Sequence, residues 1–125
     1  MNKTRRNEIR RIETSFITIT TVDEAYNIRS DIEDVLYDEQ DAFDSLSEGL
    51  QCTARGEAME EAIDSLQEAI DSIDKIIDIL ENNKTEIEIR VKVKVRFRKK
   101  KISKEEAINM YIKDTKDYLM DARLV

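Results

Sequence analysis

Residues 54–82 read ARGEAMEEAIDSLQEAIDSIDKIIDILEN. Apolar side chains fall at Met59, Ile63, Leu66, Ile70, Ile73, Ile77 and Leu80. The steps alternate between four and three residues, the pattern of a helix with one sustained apolar seam. Ala58, Ala62, Ala69 and Ile76 widen the stripe, so this helix faces more than one neighbour. Asn82-Asn83 end it, because asparagine tolerates a helix C-terminus.

Upstream, a second seam runs through Ile28, Ile32, Val35, Leu36, Phe43 and Leu46, flanked by Ala25 and Ala42 and interrupted by Glu39. It predicts a helix ending near Ser45. Thr21-Val22-Asp23-Glu24 has the spacing of a capping box that would open it. Both glycines, Gly49 and Gly56, lie in 45–56. That segment is therefore the turn of an antiparallel helical hairpin, with Leu50 expected to plug its open end. Further upstream the reading divides. Ile9, Ile12, Phe16, Ile19 and Tyr26 keep a helical period, yet 15–22 is a β-branched run that suits a strand.

Downstream, residues 86–98 alternate strictly. Ile87, Ile89, Val91, Val93, Val95 and Phe97 share one face of the expected strand; Glu86, Glu88, Arg90, Lys92, Lys94, Arg96 and Arg98 share the other. One strand cannot satisfy its own backbone. The expected partner is 15–22 or the same strand of a second chain. That need, with the wide helical stripe, points to a homodimer. Ser103-Lys104-Glu105-Glu106 opens a last helix, with Ile108, Tyr111, Ile112, Leu119 and Ala122 as its apolar face. The expected fold is α+β and mostly α: a long antiparallel, acidic helical hairpin with a basic N-terminal extension over 1–83, then a basic β element and C-terminal helix over 84–125, seated at one end of the hairpin.

Composition agrees with long amphipathic helices. Of 125 residues, 39% are charged and 40% hydrophobic, with no proline and two glycines. Charge is segregated. Residues 23–83 hold 19 acidic side chains against three basic ones, whereas the flanks are basic and bring the total to −7. Blocks of this kind speak to partners rather than to fold. The chain has no histidine, which removes the commonest general base and metal ligand. It has no glycine-rich phosphate loop, no zinc spacing and no EF-hand loop. Cys52 stands alone, without the histidine a thiol nucleophile wants, and reads as an incidental loop residue in a reducing cytosol. No enzymatic activity, cofactor or metal is expected. No apolar run is long enough to span a membrane.

The stretch Asp38-Glu39-Gln40-Asp41-Ala42-Phe43-Asp44 through Leu50-Gln51, followed by Arg55-Gly56-Glu57-Ala58-Met59-Glu60-Glu61-Ala62-Ile63-Asp64, resembles short helical-hairpin proteins carried by phages and prophages of Gram-positive bacteria. Asn2-Lys3-Thr4-Arg5-Arg6 fits the same pattern. The resemblance covers residues 1–83. The first helix is longer here by about three turns, and 86–125 lies outside the pattern. The resemblance implies a phage-borne context and a host bacterial cytoplasm, but not a mechanism. In general character, a small acidic phage-borne protein with an appended module is similar to anti-CRISPR and other anti-defence proteins.

Two surfaces carry the functional expectations. The first is acidic: Asp31, Glu33, Asp34, Asp38, Asp41, Asp64, Glu68 and Asp71. The 16 net negative charges of 23–83, spread over ~40 Å of helix at ~1.5 Å per residue, give one charge per ~2.5 Å, against ~1.7 Å for duplex DNA. A cationic nucleic-acid groove could accept such a face in place of its substrate. A plain solvated helix face is the competing account. The second surface is basic: Arg90, Lys92, Lys94, Arg96 and Arg98, continuing into Lys99-Lys100-Lys101. Pairing with the acidic helices, or protection of a sheet edge, competes there with contact to phosphates. The leading expectation is a phage-encoded inhibitor of a bacterial defence nuclease, a type II CRISPR effector first, with no direct DNA binding. The alternatives are a nucleic-acid-binding module using 90–101 and a purely structural or oligomerisation protein.

Overall fold

The computed structural model describes residues 1–15, 21–82, 86–93 and 96–125. Its elements are α1 (Lys3–Ser15), α2 (Val22–Asp44), α3 (Glu48–Gln51), α4 (Ala54–Glu81), β1 (Glu86–Val93), β2 (Arg96–Ser103) and α5 (Lys104–Leu124). The fold is mostly α with one small antiparallel sheet, as the sequence implies. Of the stretch with two readings, 16–20 lies outside the described residues. Ser15 ends α1, and Thr21 caps α2 by accepting a hydrogen bond from the Glu24 N–H.

α4 is the spine. Its seam residues from Met59 to Ile77 are buried, and so are Ala62, Ala69 and Ile76. The wide stripe is explained by two neighbours in the same chain, α2 on one side and α5 on the other. α1 completes a ring by packing on both α2 and α5. Arg29 reaches Asp74, Tyr26 reaches Glu81, and Arg5 and Arg11 reach Glu39 and Asp31, so α2 runs antiparallel to both α4 and α1. Ile9, Ile12, Ile32, Leu66, Ile73, Ile76 and Leu119 are fully buried in one continuous core. α5 thus belongs to the core and lies along α4 rather than at one end of the hairpin.

The turn corrects one detail. Leu50 does not plug the hairpin; it is 50% exposed. Gln51 does the work instead, its side-chain amide donating to the carbonyls of Phe43 and Leu46 at the end of α2. α4 begins so close to this turn that a Cβ at Gly56 would lie 2.1 Å from the Gln51 carbonyl oxygen. These two residues are the centre of the Leu-Gln … Arg-Gly pattern, which therefore has a packing reason.

The long single strand is also corrected. The alternating run divides: β1 pairs with β2 of the same chain, with Ile87 opposite Ile102 and Val93 opposite Arg96. Among the described residues the partner of β1 is β2; 16–20, the core of the other expected partner, lies outside them. The reversal moves Phe97 opposite Lys92, on the face away from Ile87 and Ile89. Both sequence arguments for a homodimer, an unpaired strand and a wide stripe, are met within one chain. Among the described residues, no helix is long and apolar enough to cross a membrane.

Candidate interaction surfaces

The acidic surface forms because α2 and α4 each turn one apolar stripe inward, and the helical period sends their carboxylates outward. Asp34, Asp38 and Asp41 on α2 are exposed, as are Asp64, Glu68 and Asp71 on α4. The other two expected members differ. Asp31 is paired with Arg11 of α1 at 3.1 Å. Glu33 is paired with Arg29, which also holds Asp74 at 2.5 Å. The internal neutralisation comes from α1 and α2, not from the basic run near the C-terminus. Among the described residues, the six exposed carboxylates have no lysine or arginine within ion-pair distance.

α5 extends this surface, which the sequence reading missed. A groove of about 470 Å³ between α4 and α5 is lined by Glu61, Asp64, Ser65, Asp121, Leu124 and Val125. Nearby, burial raises the Tyr118 phenol above its ordinary value, and the carboxylates of Glu68, Asp114 and Asp121 add to the rise. Tyr118 therefore lies among carboxylates of both helices, Glu68 on α4 and Asp114 and Asp121 on α5. The signal was present in the spacing of Asp114, Tyr118 and Asp121, which share one helical face. On the other flank of α4, Glu33, Tyr37, Gln67 and Asp71 line a second groove, toward α2. Carboxylates thus spread over three helices, with α4 in the middle.

Glu39 has a different role. It interrupts the α2 seam because it is a partner, not a surface group. Its side chain is fully buried, 2.6 Å from Arg5 Nε and 3.3 Å from the Met1 nitrogen. Arg123 on α5 pairs with Glu13 on α1 at 2.9 Å. Basic residues of α1 and α5 thus close the ring of helices.

The basic surface is the ribbon of β1 and β2. Arg90, Arg96 and Arg98 are exposed, together with Lys99, Lys100 and Lys101. The Lys92 side chain and all of Lys94 lie outside what the structure describes. Pairing of this run with the acidic helices is not found among the described residues. Its one ion pair among the described residues is local, Lys99 to Glu88 at 3.4 Å. Arg90 lies over the Phe97 ring, 4.7 Å from its centroid. Among the described residues, no group of three or more cysteine, aspartate or glutamate side chains is arranged to hold a metal ion. No protein-family model, curated protein or solved structure matches this chain.

Proposed function

We propose that this chain is a non-enzymatic inhibitor that lays its carboxylate face in the cationic groove of a nucleic-acid-handling protein. The observation that carries this reading is the set Asp34, Asp38, Asp41, Asp64, Glu68 and Asp71, exposed and without a cationic partner among the described residues. Asp121, exposed on α5, lengthens that set across the groove beside Asp64. Like charges at this spacing destabilise a helix slightly, so a partner that supplies cations gains from the contact. Electrostatic complementarity of this kind also speeds encounter. The resemblance of residues 1–83 to phage-borne hairpin proteins selects the target class: a bacterial defence nuclease, with a type II CRISPR effector first.

The test is inhibition of RNA-guided DNA cleavage by the purified chain. Reversing Asp34, Asp38, Asp64 and Glu68 to lysine should abolish inhibition while leaving the helical circular dichroism unchanged. Inhibition that survives the four reversals removes the acidic face from the mechanism. A chain that neither binds nor inhibits any effector of the class removes the proposal.

A further inference from the structure

The ribbon of β1 and β2 stands on the helices by its base alone. Ile87 and Ile102 face each other there and pack with Ile79, Ala107, Ile108 and Tyr111. From Arg96 to Lys101 every residue is exposed. Residues 90–101 contain eight basic side chains and no acidic one. The pairing puts cations on both faces: Arg98 and Lys100 beside Val91 and Ile89, and Arg90 with Lys99 and Lys101 on the opposite side. Arg90 and Lys99 stand directly across from one another, a like-charge pairing that weakens a two-stranded sheet. Guarding an edge against aggregation takes a lysine or two, not six described cations. Nothing described within the chain relieves this repulsion except Glu88 at the inner end.

We propose that the ribbon binds duplex DNA by entering the major groove, its cations meeting the phosphates of both strands. The B-form major groove, about 12 Å wide, admits a two-stranded ribbon. Cations on both faces suit a groove with a phosphate backbone on each side, where a one-faced patch would serve only one. Phe97, 62% exposed and steadied by Arg90, offers an apolar contact to base edges at the outer end. The acidic body does not forbid this. The chain's −7 is the balance of +8 in 90–101 and −15 elsewhere. A strand of this length spans about 26 Å, and charges are screened over about 8–10 Å at physiological salt. The outer half of the ribbon therefore lies beyond the reach of most of the body's field. This inference stands apart from the acidic-face proposal, and either can fail alone. It departs from the expectation of no direct DNA binding that accompanied the inhibitor reading.

The experiment is fluorescence anisotropy of the full chain with a labelled DNA duplex of arbitrary sequence. Affinity should fall about a thousandfold between roughly 50 and 200 mM salt, as for about six phosphate contacts. Lys99→Glu with Lys101→Glu should weaken binding at the lower salt about a hundredfold, and so should the milder Arg96→Gln with Arg98→Gln. Lys99→Arg with Lys101→Arg should bind like the unaltered chain. Absence of binding at low salt overturns the proposal. So does salt-sensitive self-association, lost with the same charge reversals and unaccompanied by DNA binding, because the occupant is then the acidic face of a second copy. Equal affinity for duplex RNA, whose major groove is too narrow, overturns the groove assignment.

Discussion

At position 56 two backbone effects oppose each other, and their magnitudes decide the outcome. Replacing a helical glycine by alanine ordinarily stabilises by about 1 kcal/mol. Here the new methyl would lie 2.1 Å from the Gln51 carbonyl oxygen, and the obstacle is backbone that cannot rotate away. Overpacking of this kind costs about 1–3 kcal/mol, so the clash wins. Gly56→Ala should lower stability by about 1 kcal/mol net in urea unfolding, and a stabilised variant would mean that the turn and α4 do not approach so closely. The sequence showed that this glycine belonged to a turn. It did not show why, because the contact lies between Gly56 and a residue in a different element. Glu39 teaches the same lesson. Its interruption of an apolar stripe was visible; Arg5, 34 positions away, was not a partner that spacing could name. A buried carboxylate persists only when paired, and the pairing turns an apparent flaw in the seam into the joint between α1 and α2.

Elements were legible where a period was long and a local signal closed it. α4 follows from its seam, and both expected helix starts hold: the Thr21 side chain caps α2 and the Ser103 side chain caps α5. The ribbon was half legible. Alternation over 86–98 marked extended chain, but Lys94-Val95 carries none of the asparagine or glycine chemistry that announces a hairpin. The reversal was therefore hidden, and one strand was expected where two are found. The groove between α4 and α5 was missed for a related reason, since α5 was expected at one end of the hairpin rather than along α4. Ser103 is the joint between ribbon and helix: it ends β2, and its hydroxyl accepts from the Glu106 N–H at 3.2 Å. Ser103→Ala removes that acceptor and should cost about 1 kcal/mol, read as a lower midpoint of thermal unfolding. Ser103→Asp, which keeps an acceptor and favours a helix N-terminus, should restore it. Equal melting of the two variants would show that the cap contributes nothing.

Across the whole molecule, attraction and repulsion differ in range, and salt separates them. The attractive pairs are contacts, such as Arg29 with Asp74 at 2.5 Å and Arg11 with Asp31 at 3.1 Å. Each is partly exposed and worth under about 1 kcal/mol. The repulsive pairs are more numerous and longer. On α4 alone, Glu57 and Glu61, Glu60 and Asp64, Asp64 and Glu68, and Asp74 and Asp78 lie four residues apart. Such neighbours sit about 5–6 Å apart at Cβ and cost about 0.2–0.5 kcal/mol each. Glu68 of α4 and Asp114 and Asp121 of α5 add further negative charge around Tyr118. Half-molar salt shortens screening to roughly 4 Å, which removes most of the longer-range repulsion while leaving touching ion pairs largely intact. Relief of about 1 kcal/mol corresponds to about 4 °C for a chain of this size. The melting midpoint should therefore rise by about 4 °C between low salt and roughly half-molar sodium chloride. A midpoint that falls instead would mean that contact pairs dominate the electrostatics of the folded chain, and the carboxylate face would hold too little stored repulsion to favour a cationic partner.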